Sequence, residues 1–89
     1  MEDLLERALR ELSPRTRIFK VLTYLSFRGA SLPGQIAEET GMPRGTVRPA
    51  LRSLLVKGFV TQQEDGTYRS KIAFTDMISD LYARREREK

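Results

Sequence analysis

The stretch SLPGQIAEETGMPRGTVRPALRSLLVKGFVTQQEDGTYR, Ser31 to Arg69, contains the order of elements that decides the fold. From Ser31 or Pro33 to Thr40 it reads as a short helix with Ile36 and Ala37 facing inward. Gly41 then supplies the left-handed backbone that a tight turn between two helices requires. A second helix follows and stops at Gly58. Val47, Ala50, Leu51, Leu54 and Leu55 recur at helical spacing and form its apolar face. Two β-prone runs come next, Phe59 to Gln63 and Thr67 to Ile72. They flank Glu64-Asp65-Gly66, an acidic turn suited to a hairpin.

Outside this stretch the pattern is helical. Leu4, Leu5, Ala8, Leu9 and Leu12 form one stripe, with Glu2 and Asp3 at the positive end of the helix dipole. Ser13-Pro14 predicts the start of another helix, Ser as cap and Pro in the first turn. Its core positions are Ile18, Val21, Leu22 and Leu25, with Phe19, Tyr24 and Phe27 beside them, and Gly29 ends it. Towards the C-terminus, Phe74, Met77, Ile78, Leu81 and Tyr82 form a last stripe, with Thr75 as the expected cap. The tail from Arg84 to Lys89 is wholly charged and is expected to fray. No internal repeat or linker is visible.

The 89 residues are the right length for one domain, and 39% of them are hydrophobic, enough for a small core. Cysteine and histidine are absent, which excludes disulfides, thiolate or imidazole metal sites and triads that need Cys or His. Carboxylate pairs occur at Glu38-Glu39, Glu64-Asp65 and Asp76 with Asp80. No third ligand or general base accompanies them, so no enzyme, no metal and no cofactor are expected. No run of residues is apolar enough to span a membrane. The opening residues do not resemble a secretory signal, and a cytoplasmic protein is expected.

The net charge of +4 divides unevenly along the chain. Residues 13–30 hold Arg15, Arg17, Lys20 and Arg28 with no acid, and residues 44–58 hold Arg44, Arg48, Arg52 and Lys57 with no acid. The remainder sums to −4. Two acid-free basic segments point to a polyanionic partner. Arg outnumbers Lys by 12 to 4 and Asn is absent. The scarcity of thermolabile side chains leads to the expectation of a thermophile.

With helix, short helix, glycine turn, helix and hairpin in that order, Ser31 to Arg69 resembles the winged helix-turn-helix of MarR- and TrmB-type transcriptional regulators. The matching positions are Ile36-Ala37, Gly41, Thr46-Val47, Leu51, Leu54, Gly58, Val60 and Asp65-Gly66-Thr67-Tyr68. The resemblance implies a mainly α fold with a small β-hairpin wing, and an archaeal source is expected with it. It divides a single domain, 1–89, into an N-terminal helix at 1–12, a winged-helix core at 13–72 and a C-terminal helix at 73–89. It further implies a nucleoid-associated DNA-binding protein that regulates transcription. Its recognition helix, about 44–57, would enter the major groove beside a wing at 59–72. The partner is double-stranded DNA, and the sequence names no small-molecule effector.

Arg44, Arg48 and Arg52, spaced by four, are the candidate groove residues, with Thr46 at the helix start; Arg pairs with guanine edges or with phosphates. Arg28 and Arg15 on the preceding helix, and Gln62, Arg69 and Lys71 on the wing, are candidates for phosphate contact. Three positions depart from the family pattern. Pro43 stands where a Ser or Thr usually caps the recognition helix, and Gly45 where a polar side chain is common. Pro49, the sixth residue of a helix starting at Arg44, would clash with the Gly45 carbonyl. Either the helix kinks, or it starts later with Thr46 as N-cap and Pro49 in its first turn; the later start is favoured. The acidic wing tip also departs from the usual basic one. Thin base readout is expected, with more weight on phosphates and DNA shape.

Leu4, Leu5, Leu9 and Leu12, with Ile78, Leu81 and Tyr82, are the expected interface of a homodimer, which would place two recognition helices about one DNA turn apart. The alternatives are a winged helix that binds protein and a DNA-binding module of replication or chromatin.

Overall fold

A computed structural model describes the backbone of residues 2–87 and the side chains of residues 2–83. Among the described residues, five helices and one two-stranded antiparallel sheet follow each other in the order expected.

Helix α1, Leu4–Leu12, is closed at its N-terminus by a reciprocal cap. The Glu6 amide donates to Asp3 Oδ1 at 2.8 Å, and the Asp3 amide donates to Glu6 Oε1 at 3.4 Å. Leu5, Ala8 and Leu12 face inward.

Helix α2, Arg17–Arg28, starts later than Ser13-Pro14 predicts, and its cap is Thr16. An N-cap residue needs extended backbone, whereas Ser13 has a φ of +56° and ends α1 instead. Pro14 and Arg15 are thereby left to reverse the chain. Thr16 Oγ1 accepts from the Phe19 amide at 3.3 Å and donates to the Leu12 carbonyl at 2.6 Å, tying the two helices together. Val21, Leu22 and Leu25 are buried, and Gly29 closes the helix onto the Leu25 carbonyl.

Helix α3, Pro33–Thr40, has its proline in the first turn, where no intrahelical donor is needed. Gly41, left-handed at φ +74°, ends it and turns the chain into α4, Arg44–Lys57. Helix α4 starts at Arg44 and not at the later position that favoured Thr46 as cap, and it runs unbroken through Pro49. Pro43, with extended backbone, occupies the cap position, and its carbonyl accepts from the Thr46 and Val47 amides at 2.9 and 3.1 Å. These bonds fix the first turn without a side-chain acceptor. Pro49 lies on the exposed side, where water can satisfy the Gly45 carbonyl that its ring leaves without a helical donor.

Strands β1, Val60–Gln62, and β2, Tyr68–Ser70, pair antiparallel with Val60 opposite Ser70, Thr61 opposite Arg69 and Gln62 opposite Tyr68. The hairpin is anchored at two points. Ser31 exchanges both backbone bonds with Tyr68, at 3.1 and 2.8 Å, and Ser26 Oγ bonds Ser70 Oγ at 2.8 Å. Helix α5, Phe74–Arg87, begins one residue before Thr75, the expected cap. The Ala73 carbonyl accepts from the Asp76 and Met77 amides there. The last two residues of the charged tail, and its side chains from position 84 on, lie outside the described residues.

The core joins Val21, Leu22 and Leu25 of α2, Ile36 of α3, and Val47, Leu51 and Leu54 of α4. Phe59 and Val60 from the start of the hairpin complete its centre. Phe59 is wholly buried, and Arg7 of α1 lies over its ring at 4.6 Å from the centroid. Truncating a buried aromatic of this size costs about 3–5 kcal/mol, so Phe59 holds the wing, α1 and α4 together.

Candidate nucleic-acid interface

Helix α4 buries Val47, Ala50, Leu51 and Leu54 and exposes Arg44, Arg48 and Arg52 on its other side. Among the described residues no carboxylate comes within ion-pair distance of Arg48 or Arg52. Their positive charge therefore faces solvent without an internal counterion. Arg44, on the helix and not in the turn, reaches back over α3: a Cβ on Gly34 would lie 3.3 Å from its guanidinium. Thr46 is half-buried and makes no cap.

The other candidate residues scatter. Arg28 lies at the end of α2 and pairs with Glu39 of α3 at 3.3 Å, so part of its charge is matched within the domain. Arg15 sits in the exposed turn between α1 and α2. Its neighbour Pro14 lines an apolar cleft of about 330 Å³ with Leu9, Phe19, Met77 and Leu81, a different surface from the helix-turn-helix.

The wing separates its three candidates. Opposed residues of a hairpin share a face and successive residues alternate, so Arg69 lies with Thr61 on the outer face. Gln62 lies on the same face as Val60, which points into the core, but is itself exposed. Lys71, beyond the strand, borders a cleft between α1 and α5 lined by Glu2, Asp3, Glu6 and Asp76. At the tip, Asp65 Oδ1 accepts from the Thr67 hydroxyl at 2.6 Å and the Thr67 amide at 3.0 Å. The hydroxyl bond first, and then the amide, hold the Asp65 carboxyl below its ordinary value. The tip therefore keeps the Asp65 charge through the neutral range.

Residues 16–64 match the family model of the IclR helix-turn-helix domain. The matched residues run from the cap of α2 through α3 and α4 to the wing tip and make up more than half of the chain. The chain belongs to this family. It is a DNA-binding winged helix-turn-helix domain of the kind found in transcriptional regulators. The family model is the IclR one; the winged helix-turn-helix is what the MarR and TrmB resemblance shares with it. No curated protein and no solved structure matches the chain significantly. No helix among the described residues is long and apolar enough to cross a membrane.

The dimer candidates divide as well. The structure buries Leu5 and Leu12 in the domain's own core and packs Leu4 and Leu9 half-buried against it. The α1 stripe is thus largely spent on α1's own domain, with Leu9 left at the apolar cleft it shares with Leu81. On α5, Ile78, Leu81 and Tyr82 are exposed. Phe74 joins them, and its ring meets Phe27 of α2 edge-on at 5.0 Å. Sequence reasoning did not single out Arg7, which combines the Phe59 contact with a hydrogen bond to the Lys57 carbonyl at the end of α4. No periodicity marks such a residue, because the contact spans 50 positions.

Proposed function

We propose that this domain regulates transcription by laying the outer face of α4 in the major groove of duplex DNA. The observation that supports this most is the unneutralised pair Arg48 and Arg52, one helical turn apart on the exposed side of a helix held by the helix-turn-helix. The position of the pair on the second helix of the motif is the one that meets base edges and phosphates. Arg69, on the outer face of the wing, would contact phosphate beside the groove, while the anionic tip stays clear of the backbone. The role is one of binding and not of catalysis, in the cytoplasm and on the nucleoid. The absence of Asn and Cys, both thermolabile, favours a heat-adapted source, and the archaeal origin rests on the family resemblance alone.

The same reading includes a homodimer, in which terminal helices of two copies pair and set two α4 helices about one DNA turn apart. The exposed row of Phe74, Ile78 and Tyr82 on α5 favours α5 over α1 as the pairing element. Light scattering at micromolar concentration should report twice the mass of 10.2 kDa; a monomer alone would refute the pairing.

The test of DNA binding is an anisotropy titration of random duplex at two salt concentrations. Binding should weaken steeply with salt, because each phosphate contact contributes about 0.9 to the log–log slope. Replacing Arg48 and Arg52 together by Ala should lower both affinity and slope. The acidic wing tip is what favours a protein partner instead, and absence of binding at about 50 mM salt, where phosphate contacts are strong, would decide for that partner.

A further inference from the structure

At 100° per residue, Gly45, Pro49, Arg52 and Val56 form one line along α4, directly opposite the buried Val47, Ala50, Leu51 and Leu54. All four are exposed, Val56 at 82%. Arg48 lies to one side of this line, and the half-buried Thr46 and Ser53 lie to the other. The ridge that reaches furthest from the domain therefore carries a single hydrogen-bonding side chain, that of Arg52.

The domain's own packing requires neither Gly45 nor Pro49. Gly45 is not left-handed, and a Cβ there would meet nothing within 4 Å. Pro49 is exposed and removes a helical hydrogen bond, a cost the fold gains nothing for. Both sit on the line that faces the groove. A pyrrolidine ring offers neither donor nor acceptor. Among the base-edge features of the major groove, the one that an apolar ring contacts favourably is the C5 methyl of thymine.

We infer that Pro49 reads a thymine methyl group, and that Gly45, lacking a side chain, lets the helix backbone approach closely enough for the ring to reach it. From Gly45 to Arg52 the helix rises about 10.5 Å, at 1.5 Å per residue. That is roughly three base-pair steps of 3.4 Å. Pro49 stands about 4.5 Å before Arg52 along the axis, between one and two steps away. The recognised element is thus a thymine one or two steps from the guanine or phosphate that Arg52 engages. The assignment rests on α4 being the helix that enters the groove.

The experiment selects a preferred site from random duplex with the full chain, then replaces each thymine singly by deoxyuridine, which removes only the methyl. One thymine in each recognised half should show about a fourfold loss, the ordinary effect of one methyl group leaving a contact. The Pro49→Ser variant, shown to be folded by its melting curve, should bind the thymine and deoxyuridine sites equally. The inference is overturned if the wild-type chain selects a site yet tolerates every deoxyuridine, or if Pro49→Ser keeps the same methyl dependence. If no duplex binds at low salt, no site is selected, and both the proposed function and this inference fall.

Discussion

Replacing Arg7 by Met isolates what a single cation does for the end of the recognition helix. Methionine keeps an unbranched apolar side chain and removes the guanidinium, whose carbon is the atom that lies over Phe59. Three contacts then disappear: the Arg7 Nη2 bond to the Lys57 carbonyl, the position 4.6 Å above the Phe59 ring, and the ion pair with Glu11 at 3.8 Å. A hydrogen bond from a charged donor contributes about 1.5–3 kcal/mol, and the lower end applies because water reaches this helix end. The cation–ring contact adds about 1 kcal/mol at a partly exposed site. The Glu11 pair is a surface pair and adds about half of that or less. Against these stands Arg7 Nε, buried without a hydrogen bond, whose removal returns about 1 kcal/mol. The net loss is about 2 kcal/mol, which in a domain of this size lowers the melting temperature by about 8–16 °C. Circular dichroism melts and urea titrations measure it, and the urea m-value should stay constant. Arg10→Met is the control, since Arg10 pairs only with exposed groups, and this variant should melt with the wild type. If Arg7→Met melts within about 2 °C of wild type, α1 does not hold the end of α4. If Arg10→Met falls equally far, net charge and not geometry is responsible.

Gly45→Ala should raise the melting temperature by about 2–4 °C, because alanine gains about 0.5 kcal/mol over glycine in a first turn and its Cβ meets nothing within 4 Å. The same variant should bind duplex DNA more weakly in an anisotropy titration. The Arg48→Ala and Arg52→Ala single variants should each lower the salt slope by about 0.9 if each residue holds a phosphate, and an unchanged slope with lost site preference would mark a base contact instead. Asp65 has its folded pKa lowered from 3.8, so its stabilisation of the wing turn is complete above that value and is lost as pH falls through the lower folded one. The Thr67 amide resonance should shift in that acid window and not between pH 5 and 8, and Asp65→Asn should abolish the shift. Ile78→Asp should convert a dimer to a monomer in light scattering, without moving the melting curve of the isolated domain by more than a surface change does.

The sequence makes the helices and their order legible because each carries a strong local signal: the spacing of Val47, Ala50, Leu51 and Leu54, or Gly41 and Gly58 as left-handed stops. What it misplaces are the starts. Ser13-Pro14 has the composition of a cap, yet the chain must reverse between α1 and α2, and that reversal occupies Ser13 to Thr16. For α4, the cost of Pro49 suggests a later start, but the Pro43 carbonyl supplies the first hydrogen bonds and the exposed position of Pro49 softens the cost. The candidate site is legible as far as Arg48 and Arg52, which follow from helix phase alone. On the hairpin, alternation from the apolar Val60 and Tyr68 puts Gln62 on their face and Arg69 on the other, so the two do not share one phosphate-facing surface. Nor does an amphipathic stripe show whether its partner is the same chain or another. Leu5 and Leu12 have the pattern of an interface and belong to the core.

Each basic segment gives up one charge once the chain is folded. Arg28 at the end of the first and Lys57 at the end of the second meet Glu39 and Glu11, so both segments lose charge at their C-terminal ends. Glu11 reaches Arg7 and Lys57 together, and this small network sits where α4 leaves the surface and turns into the wing. On α4 the unneutralised charge is thereby left on the first three turns, while its last turn is tied to α1. In the proposed docking, a helix fixed at its C-terminal end would present Arg48 and Arg52 to phosphates beside Gly45 and Pro49. Such a surface derives most of its affinity from charge, which salt screens, and its base discrimination from contacts that salt leaves untouched. Raising the salt concentration should therefore lower affinity for random and selected duplex in parallel, and leave their ratio nearly constant. A ratio that collapses with salt would mean that the arginines, and not Gly45 and Pro49, carry the specificity.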